Sequence, residues 1–113
     1  MITISPSPTH LVPEERLWKA VLWRAFDDCT YNGYERTLIV AKDEAIKWFK
    51  ERAQDFIEVC SFSNFDPGYV YRNYTKLWKI KKIKYETHQT RYLKHREKYL
   101  NDRRRQQRVQ SSH

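Results

Sequence analysis

At 113 residues the chain has room for one small domain and a tail, since domains usually run to about 100–200 residues. An aromatic content of 15% with four Trp excludes a wholly disordered chain, and two Gly with four Pro are too few for the turns of an all-β sandwich. The formal charge of +8 is uneven: residues 1–67 hold 8 Lys/Arg against 11 Asp/Glu, and residues 68–113 hold 14 against 3, which directs any polyanion to the C-terminal part.

These numbers predict an all-α protein: a small helical domain over residues 13–85 with a basic C-terminal extension. Residues 1–12, punctuated by Ser5-Pro6-Ser7-Pro8, read as a flexible N-terminal arm without the basic start and apolar run of a secretory signal. The longest aliphatic run, Leu38-Ile39-Val40-Ala41, is far short of the ~20 residues that span a bilayer. A cytoplasmic protein with no membrane partner is expected.

Pro13 suits the first turn of a helix, and Glu14-Glu15 place negative charge at its positive dipole end. Leu17, Trp18, Val21, Leu22, Ala25, Phe26 and Cys29 then recur at helical spacing, giving a first helix over 13–30 that Asn32-Gly33 would close. Thr37-Leu38-Ile39-Val40 is rich in β-branched residues, so residues 34–42 could be a short extended piece or the lead-in to the next helix; a connector, strand or loop, is expected. Ala45, Ile46, Trp48 and Phe49 predict a second helix over 43–53. Asp55 and Glu58 resemble a capping box for a third helix over 55–63, with Phe56, Val59, Cys60 and Phe62 on its buried side.

Asp66-Pro67 is the next start signal, an N-cap followed by an N1 proline, and predicts a fourth helix over 67–80. Val70, Tyr74 and Leu77 share one face, while Arg72, Thr75, Lys76 and Lys79 fall on the opposite one, between about 140° and 240° from Val70. Ile83 would land on the basic face, so the register changes near residue 80 or the helix ends there. Beyond Glu86 the chain is rich in Arg, Lys and Gln. Tyr92 with Tyr99 and Leu93 with Leu100 lie seven apart, so residues 86–113 read as a basic tail, helical or disordered.

Chemistry is sparse by comparison. Cys29 and Cys60 belong to no zinc-ligand spacing and read as buried, reduced thiols. His88 and His95 read as solvated side chains. Asp27-Asp28 and Asp43-Glu44 are adjacent on helices and cannot face one another, and no nucleophile or His accompanies them. No enzyme, cofactor or metal is expected. The four Trp are assigned to the core, with Trp78 beside the basic run as a candidate stacking platform.

The segment from Asp55 to Lys76 carries the functional expectation. A helix-turn-helix places a small residue in its first helix, a turn residue four later and a buried β-branched residue six beyond that; here these are Cys60, Asn64 and Val70, with Phe65 plugging the corner. Asn73 departs from the pattern, because a second apolar residue often stands there. The Pro67 helix would then enter the major groove of double-stranded DNA. Tyr69, Arg72, Thr75, Lys76, Lys79 and Lys82 would face the duplex, and Arg103, Arg104 and Arg105 of the tail would add phosphate contacts.

The residues Trp48, Phe56, Val59, Cys60, Asp66, Pro67, Val70 and Arg72 also resemble, in order, a set of small helical proteins encoded in bacteriophages and prophages, many in alphaproteobacteria. Leu17-Trp18, Val21 and Phe26-Asp27-Asp28 look like the first helix of that set. Its usual form has Ala-Gly where this chain has Ser63-Asn64, and Arg where it has Tyr71. The resemblance covers about the middle half of the chain and implies a phage or mobile-element origin, as a transcription regulator or DNA-packaging accessory. Two other expectations stand beside DNA binding: interaction with a host or phage protein or with a second copy as a homodimer, and RNA binding through the Arg-rich tail.

Overall fold

In the structure, a computed structural model that describes residues 13–111, five helices follow one another: α1 (Pro13–Cys29), α2 (Arg36–Glu51), α3 (Gln54–Phe62), α4 (Pro67–Lys79) and α5 (Thr87–Ser111). No strand occurs among the described residues, so the all-α expectation holds. None of these helices is long and apolar enough to cross a membrane. The arm expected over residues 1–12 lies outside the described residues.

Helix α1 packs on α2 and α3, α3 packs on α4, and α5 packs on α2. The shared core draws Leu22 and Cys29 from α1, Ile46 and Phe49 from α2, Phe56, Val59 and Cys60 from α3, Val70 and Tyr74 from α4, and Ile83 from the segment after it. Phe49 is the hub. Its ring lies 4.6 Å from Phe26, 5.0 Å from Tyr74, 5.1 Å from Trp48 and 5.9 Å from Phe56, so aromatic contacts from all four core helices converge on it.

The connector expected over residues 34–42 is instead the beginning of α2. Glu35 caps it: its carboxylate accepts from the Thr37 N–H at 3.4 Å and the Thr37 hydroxyl at 3.1 Å. Ile39, Lys42, Ile46 and Phe49 are its buried residues, spaced three or four apart. Within Thr37-Leu38-Ile39-Val40, Ile39 is buried in the core, where packing overrides propensity, while Thr37 and Leu38 stay exposed.

Other starts and stops also differ from expectation. Asp55 does not cap α3, whose N-cap is Ala53 with no side-chain hydrogen bond; the Asp55 carboxylate accepts from the Trp48 indole N–H at 2.9 Å and ties α3 to α2. Gly33 does not end α1 in the left-handed conformation, since no glycine has positive φ. A Cβ there would run into the end of the Tyr31 ring, so any larger residue would require that ring to move. Leu17, Val21, Trp23 and Phe62, assigned to buried faces, are exposed.

Two turns repeat one design. After α3, Asn64 has φ 62, its N–H donates to the Ser61 carbonyl and the Phe65 N–H donates to the Cys60 carbonyl at 2.9 Å. After α4, Lys81 has φ 63, its N–H donates to Trp78 and the Lys82 N–H donates to Leu77 at 2.9 Å. Both are Schellman turns. The second explains Ile83: reversing the chain at Lys81 swings Ile83 off the basic face and into full burial.

The expected tail is a helix of 25 residues, about 37 Å long at 1.5 Å per residue. Only Gln89 among its described side chains is fully buried, and residues 94–99 and 101–107 are exposed. This projection fits a longest dimension of 61 Å and a radius of gyration of 18.5 Å, against about 13 Å for a compact chain of such length.

Candidate nucleic-acid interface

The candidate surface begins with the cap of α4. The Asp66 carboxylate accepts from the Tyr69 N–H at 3.0 Å, and Pro67 takes the first helical position, where no N–H is missed. Four residues separate α3 from α4, and the Schellman turn within them fixes the angle at which α4 leaves. Val70 at 3% and Tyr74 at 4% exposure anchor the inner face of α4, and the Tyr74 hydroxyl donates to the Ile46 carbonyl at 3.4 Å. Burying that face points the opposite one outward.

On the outer face Arg72, Lys76 and Lys79 are exposed, and none of them forms an ion pair with a described residue. No Asp or Glu occurs between Asp66 and Glu86, whereas Arg72, Lys76, Lys79, Lys81, Lys82 and Lys84 all do. Of these six, only Lys84 has an ion-pair partner among the described residues, Glu86 at 3.5 Å. The result is a run of cations without internal neutralisation, the feature a polyanion needs.

The remaining expected residues fall into different situations. Tyr69 is 49% exposed, with its ring 6.3 Å from Phe65. Thr75 is half-buried and its hydroxyl donates to the Arg72 carbonyl at 2.9 Å, so its donor is engaged within the helix. Lys82 is exposed in the turn after α4 rather than on the helix. Arg103, Arg104 and Arg105 are exposed on α5, not on α4. Consecutive helical residues point about 100° apart, so these three arginines fan around α5 instead of forming one patch. Arg103 lies 6.0 Å over the Tyr99 ring.

Beside α4 runs a cleft of about 100 Å³ shared with α1, lined by Lys19, Leu22, Trp23, Phe26, Phe65, Tyr69, Val70 and Asn73. Asn73, noted as a departure from the helix-turn-helix pattern, stands at its edge. Trp23 is 67% exposed and was not separated from the core tryptophans by sequence reasoning. Its position could have been found: on the α1 wheel it lies about 100° from Leu22 and outside the stripe of Leu22, Ala25, Phe26 and Cys29.

A polar network, also missed, holds α5 to the body. The Lys42 ammonium is fully buried and donates to Gln89 Oε1 at 2.6 Å, to Asn32 Oδ1 at 3.3 Å and to the Lys84 carbonyl. Gln89 Nε2 donates to the carbonyls of Tyr31 at 3.0 Å and Gly33 at 3.2 Å, and Gln89 Oε1 accepts the Glu86 N–H at 3.0 Å. His88 is not solvated: it is half-buried, its ring stacks on Tyr34 at 3.8 Å, and its Nε2 meets the Gly33 carbonyl at 2.9 Å. Burial pulls the Lys42 ammonium below the ordinary lysine range, with Glu86 opposing the shift.

Neither thiol has an activating environment. Burial, with Asp28 adding to it, raises Cys29 to about 12, and burial with Asp66 raises Cys60 to about 11. Among the described residues, no three His, Cys, Asp or Glu side chains gather where they could hold a metal ion.

Compared with protein-family models, with curated proteins and with solved structures, the chain matches none.

Proposed function

We propose that the chain binds double-stranded DNA, with the outer face of α4 in the major groove. The observation that carries this reading is the exposed, unneutralised set Arg72, Lys76 and Lys79 on a helix whose opposite face is locked by Val70 and Tyr74. Arg72 supplies the planar fork that suits guanine O6 and N7 or a phosphate, and the lysines supply phosphate contacts. The projecting α5 adds cations: between residues 91 and 107 it has seven Lys/Arg against two Asp/Glu. An accessory or regulatory DNA-binding role in a phage or mobile element suits such a chain.

The test is binding of the full chain to a labelled random duplex, with groove-selective competitors. Methyl green, which occupies the major groove, should displace it, and a minor-groove ligand such as netropsin should not. Arg72→Ala with Lys76→Ala should lose most of the affinity with an unchanged circular dichroism spectrum. Displacement by netropsin alone, or undiminished binding by the double variant, would refute the placement of α4.

A further inference from the structure

The α1–α4 cleft lies beside the Arg72, Lys76 and Lys79 face and shares only Tyr69 with the residues expected at a duplex, and its composition is selective. Leu22, Phe26 and Val70 make an apolar floor, while Trp23 at 67% and Tyr69 at 49% exposure leave two large rings in water beside it. Its volume of about 100 Å³ is on the scale of one small ring rather than of a helix. At the rim, Lys19 Nζ stands 4.7 Å over the Phe65 ring, and the half-buried Asn73 amide makes no hydrogen bond to any described residue.

What surrounds the cleft decides what would occupy it. Tyr69 lies one turn from Arg72, and Asn73 lies one turn from Lys76, so wall and rim share α4 with two unpaired cations. A ligand that seats a ring in the cleft therefore lays whatever is attached to the ring along positive charge. A nucleotide is a ring tethered to a phosphate, whereas an apolar protein side chain brings no anion to match.

We propose that this cleft is a nucleobase site: it takes one unpaired base of a nucleic-acid strand, stacked on Trp23 and Tyr69, with the Asn73 amide at the base edge and adjoining phosphates on Arg72 and Lys76. The assignment rests on the polyanion reading of α4, but it requires an unpaired base where that reading requires a duplex.

The two separate in one experiment on the full chain. Anisotropy and intrinsic Trp fluorescence are followed on titration with a thymidine oligomer of roughly twelve nucleotides, an abasic strand of equal length and a blunt duplex. The abasic strand should bind at least about fivefold more weakly than the thymidine strand, and only the thymidine strand should quench Trp emission. Trp23→Ala, at an exposed position that leaves the core intact, should abolish the discrimination and the quench while duplex affinity stays within about twofold, since stacking on Trp23 serves only unpaired bases.

Equal binding of the two strands, no binding of either, or full discrimination by Trp23→Ala overturns the base site. A change in sedimentation coefficient on Trp23→Ala does so too, because the cleft would then join two copies. Loss of duplex binding alone, with base discrimination retained, refutes the duplex reading and leaves the cleft assignment standing.

Discussion

Replacing Lys42 by Met keeps a long unbranched stem in the core and deletes the ammonium, so it weighs the buried network that holds α5. The losses are uneven. Gln89 Oε1 keeps the Glu86 N–H at 3.0 Å, and Asn32 is exposed, so water replaces its partner. The Lys84 carbonyl loses its donor too, at a cost of up to ~1–3 kcal/mol. Against this, the variant no longer desolvates a charge that has no carboxylate within ion-pair distance, which offsets part of the loss. The balance is a destabilisation of about 1–2 kcal/mol.

Gln89→Leu should be worse. It removes the 2.6 Å acceptor from a cation that stays buried, strands the Tyr31 carbonyl, leaves the Gly33 carbonyl to His88 Nε2, and frees the Glu86 N–H. Losing its shortest side-chain acceptor costs the buried cation about 1.5–3 kcal/mol, and the stranded Tyr31 carbonyl adds about 1–3 kcal/mol. Urea denaturation of both single variants and the double variant gives the order and the coupling. The double should lose less than the sum, because without the ammonium no buried charge is abandoned. A Gln89→Leu protein more stable than Lys42→Met, or strictly additive losses, would refute the claim that the network exists to satisfy a buried charge.

Other consequences are direct. Lys81→Gly should stabilise by about 0.5–1 kcal/mol in thermal or urea melts, because a left-handed φ of 63 strains any residue with a Cβ; a loss of stability would deny the second Schellman turn. Asp66→Ala should cost about 1 kcal/mol through the lost cap on the Tyr69 N–H, an effect absent from Asp66→Asn. Stability should fall from pH 9 upward. Both thiols leave the unfolded chain's value of 9.0 for about 12 at Cys29 and about 11 at Cys60, so the folded state keeps protons that the unfolded state releases. Lys42, lowered by burial, acts in the opposite sense, while Tyr74 and Tyr85, raised by burial, act with the thiols; a urea midpoint that rises between pH 9 and 11 would contradict this.

The helical class and the α3–α4 segment were legible because their signals are local. Asp66-Pro67 names a helix start by itself, and the three-to-four spacing of Val70, Tyr74 and Leu77 names its inner face. What escaped depends on contacts distant in sequence. Lys42 occupies a core position of α2, but a lysine at such a position breaks an apolar pattern, and its acceptors lie 42 and 47 residues away at Lys84 and Gln89. The β-branched run Thr37-Leu38-Ile39-Val40 then looked like a connector, although Ile39, Ile46 and Phe49 keep helical spacing through it. Asp55 misled for a similar reason: its partner is the Trp48 indole on the preceding helix, not its own backbone. The basic surface needed no such information, since charge is read from composition. Its grouping on the Pro67 helix followed from the helical wheel, whereas the turn at Lys81 that takes Ile83 off that face required the fold.

The central claim is that α4 meets a duplex with its own unneutralised cations, and a salt titration of duplex binding tests it most directly. For the full chain, log K should fall linearly with log salt. In the Arg72→Ala, Lys76→Ala variant the slope should become shallower by about 0.9 if Arg72 reads a base and about 1.8 if it meets a phosphate, at roughly 0.9 for each phosphate no longer neutralised. An unchanged slope in the variant, or no duplex binding by the full chain at about 50 mM salt, would contradict the account.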